Sequence, residues 1–211
     1  MDQIMLVAGT AVLLRETPHG SEVLLIRRPD RGSFAGAWVF PGGIIEDIDR
    51  RADAAEVEDA GRAAVRETFE EVGLNVTGLV VLSQWVPPIE APKRVRTWFF
   101  LSTEMHGTVT PSPDEVVDWR WVSPTEALAQ HARGEIELVP PTWVTLHTLV
   151  AAGDIAGAMA ASSDPQIYAT HVLRGLEAQT FAWRGDAEHP EGGGGRHRLE
   201  TGERPWRYFR D

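Results

Sequence analysis

Residues 62–74 read RAAVRETFEEVGL, and the spacing of their charges decides how the rest of the chain is read. Glu67, Glu70 and Glu71 stand three and four positions apart, so on a helix they share a face. Three carboxylates on one face repel, weakening an isolated helix by roughly a few tenths of a kcal/mol per pair, unless a cation sits among the oxygens. At about 100° per residue, Val65, Phe69 and Val72 fall on the opposite side. This spacing predicts a helix that packs through those three side chains and displays its acids. Gly73 is the residue expected to end it.

The chain that carries this helix has 211 residues and 43% hydrophobic content, enough to bury a proper core. Its 31 acids against 20 Lys and Arg leave a formal charge of −11. A nucleic-acid surface needs clustered cations, so no nucleic-acid partner is expected. A phosphorylated small molecule is compatible with such a charge when divalent cations bridge the two. There is no Cys, which excludes disulfides and thiolate zinc sites. The opening stretch MDQIMLVAGTAVLL lacks a positive leader and is interrupted at Gly9 and Thr10, so it reads as a strand. No run approaches the roughly 20 apolar residues of a membrane span, and a cytoplasmic protein without a membrane partner is expected.

Met5 to Leu14 and Glu22 to Ile26 read as strands of a hairpin around Pro18 and Gly20. A long loop, RRPDRGSFAGAWVFPGG from Arg27 to Gly43, returns to the core at Trp38 to Phe40 and turns at Pro41-Gly42-Gly43. The principal helix follows from Asp53. LNVTGLVVLSQWV and RVRTWFFLS have strand composition. In EVVDWRWVS, Val117, Trp119 and Trp121 alternate with Asp118 and Arg120, which predicts a half-buried strand. Ser123 or Thr125 is expected to cap a helix through His131, and two more helices are read over Pro140 to Val150 and Asp154 to Ala161. We divide the chain into a domain over 1–163 and an extension over 164–211. That extension is expected to pack back through RPWRYF, with a flexible glycine loop at 191–196.

Upstream of the acids lies FPGGIIE, and the combined pattern resembles the box of the Nudix hydrolases: Gly, five residues, Glu, seven residues, then Arg-Glu-apolar-any-Glu-Glu-any-Gly-apolar. Arg66, Glu67, Glu70, Glu71, Gly73 and Leu74 match in register, with Thr68 at the apolar position. The spacing departs from the family. Glu58 keeps the seven residues before Arg66 but is separated from Gly43 by fourteen residues. Asp49 keeps the five residues after Gly43, with the surplus then lying between it and Arg66. Glu58 can join the acids only if the helix begins near Gly61; in a helix running back to Asp53 it points to the opposite side.

The resemblance implies an α/β fold, the Nudix α/β/α sandwich with a mixed curved sheet, followed here by extra C-terminal helices and a tail. It implies Mg²⁺ or Mn²⁺ as cofactor. Glu70 and Glu71 would be ligands, Glu67 a ligand or a partner of one, and the Gly43 carbonyl a further ligand, with Glu58 conditional on the helix start. Arg66 would fix a glutamate, and Glu115 matches an additional acid near the metals. LLIRRPDRGSFAGAWVFPGG, QWVPP, KRVRTWFFLS and GEIELVPPTWVTLHTL are similar to the peroxisomal-type coenzyme A diphosphatases, whose members also carry an insertion in the box. In that light Arg27, Arg28, Arg31 and Arg96 are candidate substrate contacts. The implied activity is cleavage of CoA or acyl-CoA; the alternatives are an ADP-ribose or nucleotide-sugar diphosphatase and a non-catalytic ligand sensor. A homodimer is expected by resemblance alone.

Overall fold

The computed structural model describes residues 5–32, 34–174 and 179–211. Its hairpin is built from β1, Leu6–Thr17, and β2, Gly20–Arg27. Two short strands follow, β3 at Trp38–Val39 and β4 at Gly42–Ile44, then a 3₁₀ turn at Asp47–Asp49 and the long helix α1, Glu56–Val72. After α1 come β5 (Asn75–Thr77), β6 (Val80–Val86), β7 (Val95–Ser102), β8 (Glu104–His106) and β9 (Asp118–Val122). Three helices succeed them: α2, Pro124–Ala132; α3, Pro140–Ala152; and α4, Ile155–Ala161. The chain closes with β10 (Gln166–Ala169), β11 (His171–Leu173), β12 (Thr180–Ala182), β13 (His197–Glu200) and β14 (Arg207–Arg210).

The main sheet runs β10-β6-β7-β1-β2-β3, with β4 on β1 and β9 on β2. It is mixed: β1 is parallel to β7 and antiparallel to β2 and β4. Successive residues of a strand point to opposite faces. Ala11 and Leu13 therefore join Leu24, Ile26 and Phe100 against the alanines of α1, while Val12 and Leu14 join Val23, Leu25 and Leu101 against Trp143, Val144 and Leu146 of α3. Covered on both sides, the middle of each strand, 11–14 of β1 and 23–26 of β2, is fully buried and apolar. This is the expected mixed α/β architecture. Ser123 caps α2 by accepting the Glu126 N–H, and Asp154 caps α4 by accepting from Gly157.

Three local expectations are corrected. Of the three side chains expected to pack α1, only Val72 is buried: Phe69 is 54% exposed, Val65 is half-buried, and the buried side runs through Ala60, Ala63, Ala64, Thr68, Glu71 and Val72. Alanine, not bulk, decides this. A Cβ on Gly9 would lie under 3.0 Å from the Ala60 carbonyl, so helix and β1 meet backbone to backbone, and the acids are carried toward the sheet. Gly42 and Gly43 do not form a free turn but a strand, paired to Thr10 and Gly9. Val117 lies outside β9 and is 55% exposed, although Trp119 and Trp121 do pack on the α1 side.

The last four strands form a second antiparallel sheet, ordered β11-β12-β13-β14. Trp183, the residue after β12, is fully buried and sits edge-on to Trp85 and Tyr168 at 5.7 and 5.3 Å, within the same core as α3. Trp206 stands 4.4 Å from His131 of α2. Among the described residues no single helix is long and apolar enough to cross a membrane.

Candidate active site

The last turn of α1 is where the sheet, two loops and the acids converge. A helix leaves its final carbonyls unpaired. Here Gly73, at φ 71°, returns its N–H to Phe69, while the following loop donates from Thr110 to Val72 and from Ser112 to Glu71. That capping draws residues 110–117 against the helix end, and it carries Glu115 to the acids. Glu115 acts electrostatically on both Glu67 and Glu71.

Glu71 is 1% exposed. One carboxylate oxygen accepts the Gly42 N–H at 2.9 Å and the other accepts Arg28 Nη1 at 2.8 Å. Burial pushes its pKa up to about 8; the Gly42 hydrogen bond and Arg28 oppose the rise, while Glu67 and Glu115 add to it. Burial also raises the Glu67 carboxyl, against the pull of Arg66. Glu67 lies over Gly43, where an added Cβ would fall under 3.0 Å from its carboxylate. The glycine pair thus serves two purposes: Gly42 donates to Glu71, and Gly43 leaves room for Glu67.

Arg66 organises the remaining acids. Its Nε and Nη2 bind Asp49 at 3.1 and 2.9 Å, its Nη1 binds Glu67 at 2.9 Å and Glu70 at 2.8 Å, and Nη2 also reaches the Ile44 carbonyl. Asp49 is 3% exposed. Burial alone would raise its carboxyl, but the Arg66 hydrogen bond, the Glu46 N–H and the nearby guanidinium groups bring it net below its ordinary value. Asp49 is the acid that keeps the five-residue distance from Gly43, so that spacing is the signal that locates it.

The structure therefore gathers Gly43, Arg66, Glu67, Glu70 and Glu71 with Arg28 and Glu115. It does not gather Glu58 or Arg96. The helix begins at Glu56, not near Gly61, and Glu58 turns back to accept the Ala55 N–H at 2.8 Å, nine residues or about 13 Å of helix from Glu67. Arg96 pairs with Glu56, which also accepts the Trp98 indole N–H, at the far end of α1. Arg27 pairs with Asp30 in the exposed loop, and Arg31 donates to the Asp114 carbonyl, tying that loop to the one bearing Glu115.

Among the described residues no group of three or more acids or histidines stands in a metal-holding arrangement. The positive charge among the carboxylates comes from Arg28 and Arg66. The donor set nevertheless suits a hard divalent cation: carboxylate oxygens that disfavour one another's ionisation.

Comparison with known proteins gives this geometry a family. The NUDIX domain profile matches residues 5–142. The m7GpppN-mRNA hydrolase NUDT17 of Danio rerio is 30% identical over 151 residues, covering 62% of this chain and 47% of that protein. The 8-oxo-dGTP diphosphatase of Proteus vulgaris is 31% identical over 90 residues, 43% of this chain and 71% of that one. This chain thus spans about half the length of the first relative. The crystal structure of a NUDIX hydrolase from Alicyclobacillus acidocaldarius superposes with a TM-score of 0.66 at 23% identity, over 79% of this chain and 99% of that one, a likeness of fold. Profile, relatives and the acid-bearing helix beside its glycine strand agree: the chain belongs to the NUDIX domain family.

Proposed function

We propose that this protein is a divalent-metal-dependent hydrolase that cleaves a nucleoside diphosphate linked to a second group, with CoA or acyl-CoA as substrate and 3′,5′-ADP and a phosphopantetheine as products. Nudix hydrolases act on nucleoside diphosphate derivatives and generally use divalent metal ions. The observation that carries the reading is Glu71: a carboxylate 1% exposed, clustered with Glu67 and Glu115, and facing Arg28. A buried acid among like charges is costly unless it serves a charged ligand. The assignment to CoA is supported by the arginine-rich loop from Arg27 to Arg31 and by the sequence likeness of residues 24–43 to CoA diphosphatases.

On this reading Glu67, Glu70, Glu71 and the Gly43 carbonyl would hold Mg²⁺ or Mn²⁺, and Asp49 takes the first acidic position of the box, the surplus residues forming the segment from Arg50 and the first turn of α1. Such ions, when bound, would neutralise phosphate charge and lower the pKa of a water. Asp49 fixes Arg66, which in turn orients Glu67 and Glu70. Arg28, when it leaves Glu71, meets the phosphates. Glu115 accepts the proton of the attacking water; the water oxygen bonds to one phosphorus, the bridging P–O bond breaks, and the second phosphate leaves with the bridging oxygen.

The test is to incubate the protein and either metal with CoA, acyl-CoA, ADP-ribose, 8-oxo-dGTP and a capped RNA oligonucleotide, and to identify products by mass. Cleavage of CoA at the diphosphate supports the full reading. Cleavage of another substrate alone removes CoA, and cleavage of none overturns the hydrolase.

A further inference from the structure

Phe34 is a side chain that the fold gives no reason to keep. It is 61% exposed, and its φ of 59° is the one positive value at a non-glycine among the described residues. An aromatic residue in the left-handed region is strained, and an exposed ring recovers nothing by burial. The loop has the remedy at hand, since Gly32 and Gly36 already take positive φ on either side. A bulky ring held against both costs is a feature that matters when something binds.

Its position says what that something is. Arg28 and Ala37, then Pro29 and Gly36, are joined by backbone hydrogen bonds, and Phe34 opens the turn above them with its carbonyl accepting from Ala37. The foot of this small ladder is Arg28, which reaches Glu71; its side is tied by Arg31 to Asp114, next to Glu115. Phe34 therefore belongs to the loop whose two arginines, Arg28 and Arg31, are tied to Glu71 and to the neighbour of Glu115.

We propose that Phe34 is the residue on which the base of the nucleotide stacks, so that the loop binds diphosphate at its foot and base at its tip. The proposal rests on the reading of the acid cluster as a nucleoside-diphosphate site. Stacking on an aromatic side chain tolerates any base; Phe34 accordingly favours nucleotides over base-free diphosphates without choosing among bases.

The experiment compares ADP with inorganic pyrophosphate, which lacks a base, by calorimetry on the full chain in the presence of Mg²⁺. Phe34→Ala is expected to weaken ADP about tenfold and to leave pyrophosphate within twofold, and Phe34→Trp restores ADP binding. Unchanged ADP affinity in Phe34→Ala overturns the proposal. Equal weakening of both ligands also overturns it, by showing that the ring only shapes the loop. If the unsubstituted protein hydrolyses a nucleoside diphosphate derivative while Phe34→Ala binds ADP unchanged, only the stacking role is lost. If it neither binds ADP nor hydrolyses any substrate, the site reading falls as well.

Discussion

Arg28 and Glu71 meet at 2.8 Å beneath the arginine-rich loop, with the carboxylate side chain only 2% exposed. Forty-three residues separate them in sequence, and their contact joins the loop, the glycine strand and the acid helix in one place. A buried carboxyl supported by a single guanidinium and one N–H is poised to exchange partners.

Its proton follows from that burial. The Glu71 carboxyl is raised to about 8 from an ordinary 4.5, so between those values the folded metal-free protein holds a proton that the unfolded chain has released. Stability without metal therefore falls as pH rises through this window, and metal binding strengthens with pH because it must displace that proton. Urea unfolding between pH 6.5 and 8 is expected to show the decline in metal-free protein, its cancellation to a flat profile when Mn²⁺ saturates the site, and no decline in metal-free Glu71→Gln. A flat profile in the unsubstituted metal-free protein contradicts the account.

Gly43→Ala places a Cβ under 3.0 Å from the Glu67 carboxylate. The side chain is displaced while the strand keeps its backbone pairing to Gly9. Turnover is expected to fall by roughly tenfold to a hundredfold with little change in melting temperature. Equal loss of both would mean that the glycine serves the fold alone.

Asp49→Asn removes the charge that holds Arg66. Leaving that half-enclosed guanidinium without its strongest partner costs about 3 kcal/mol in stability. Activity drops roughly tenfold to a hundredfold through misdirected Glu67 and Glu70. Glu58→Gln, at the helix start, is expected to leave activity unchanged and to cost about 1 kcal/mol at most. If Glu58→Gln proves the more damaging of the two, the placement of the box is wrong.

His131 is fully buried, and neither ring nitrogen has a hydrogen-bond partner among the described residues. Burial, aided by Arg204, lowers its pKa from 6.5 to about 4. Between these values the unfolded chain binds the proton and the folded one does not, so stability is lost as pH falls from 6.5 toward 4, by at most about 3 kcal/mol. His131→Leu is expected to remove that part of the acid sensitivity in urea titrations at pH 4 to 6.5. An unaltered pH profile would refute it.

Trp183 directly follows β12 of the second sheet and lies in the core shared with α3. Trp183→Ala is expected to cost about 3 to 5 kcal/mol and to melt the whole chain in one transition. A variant in which the main sheet keeps its melting temperature would show that the two sheets are energetically separate.

Much of this was legible in the chain of residues. The hairpin strands, an α2 cap narrowed to Ser123 or Thr125, the helix end at Gly73 and the acid register of Glu67, Glu70 and Glu71 all follow from local periodicity and local hydrogen bonding. Asp49 could be found from its distance to Gly43, but Glu58 competed with it on equal terms. The choice between them depended on where α1 begins, and helix ends are the least determined part of a local pattern.

Sequence by itself determined which side chains could act together: carboxylates three and four apart on a helix, glycines ahead of them, arginines in the loop between. Tertiary structure alone decided which face of α1 meets the sheet, that Gly42 and Gly43 pair with β1, and that Arg28 reaches Glu71 while Arg96 is taken by Glu56. The physical reason is that periodicity reports angles around one element, whereas contact depends on how closely two elements approach. Here the small residues of α1 and Gly9 bring the backbones together, outweighing the larger apolar surface of Val65 and Phe69 and turning Glu71 inward.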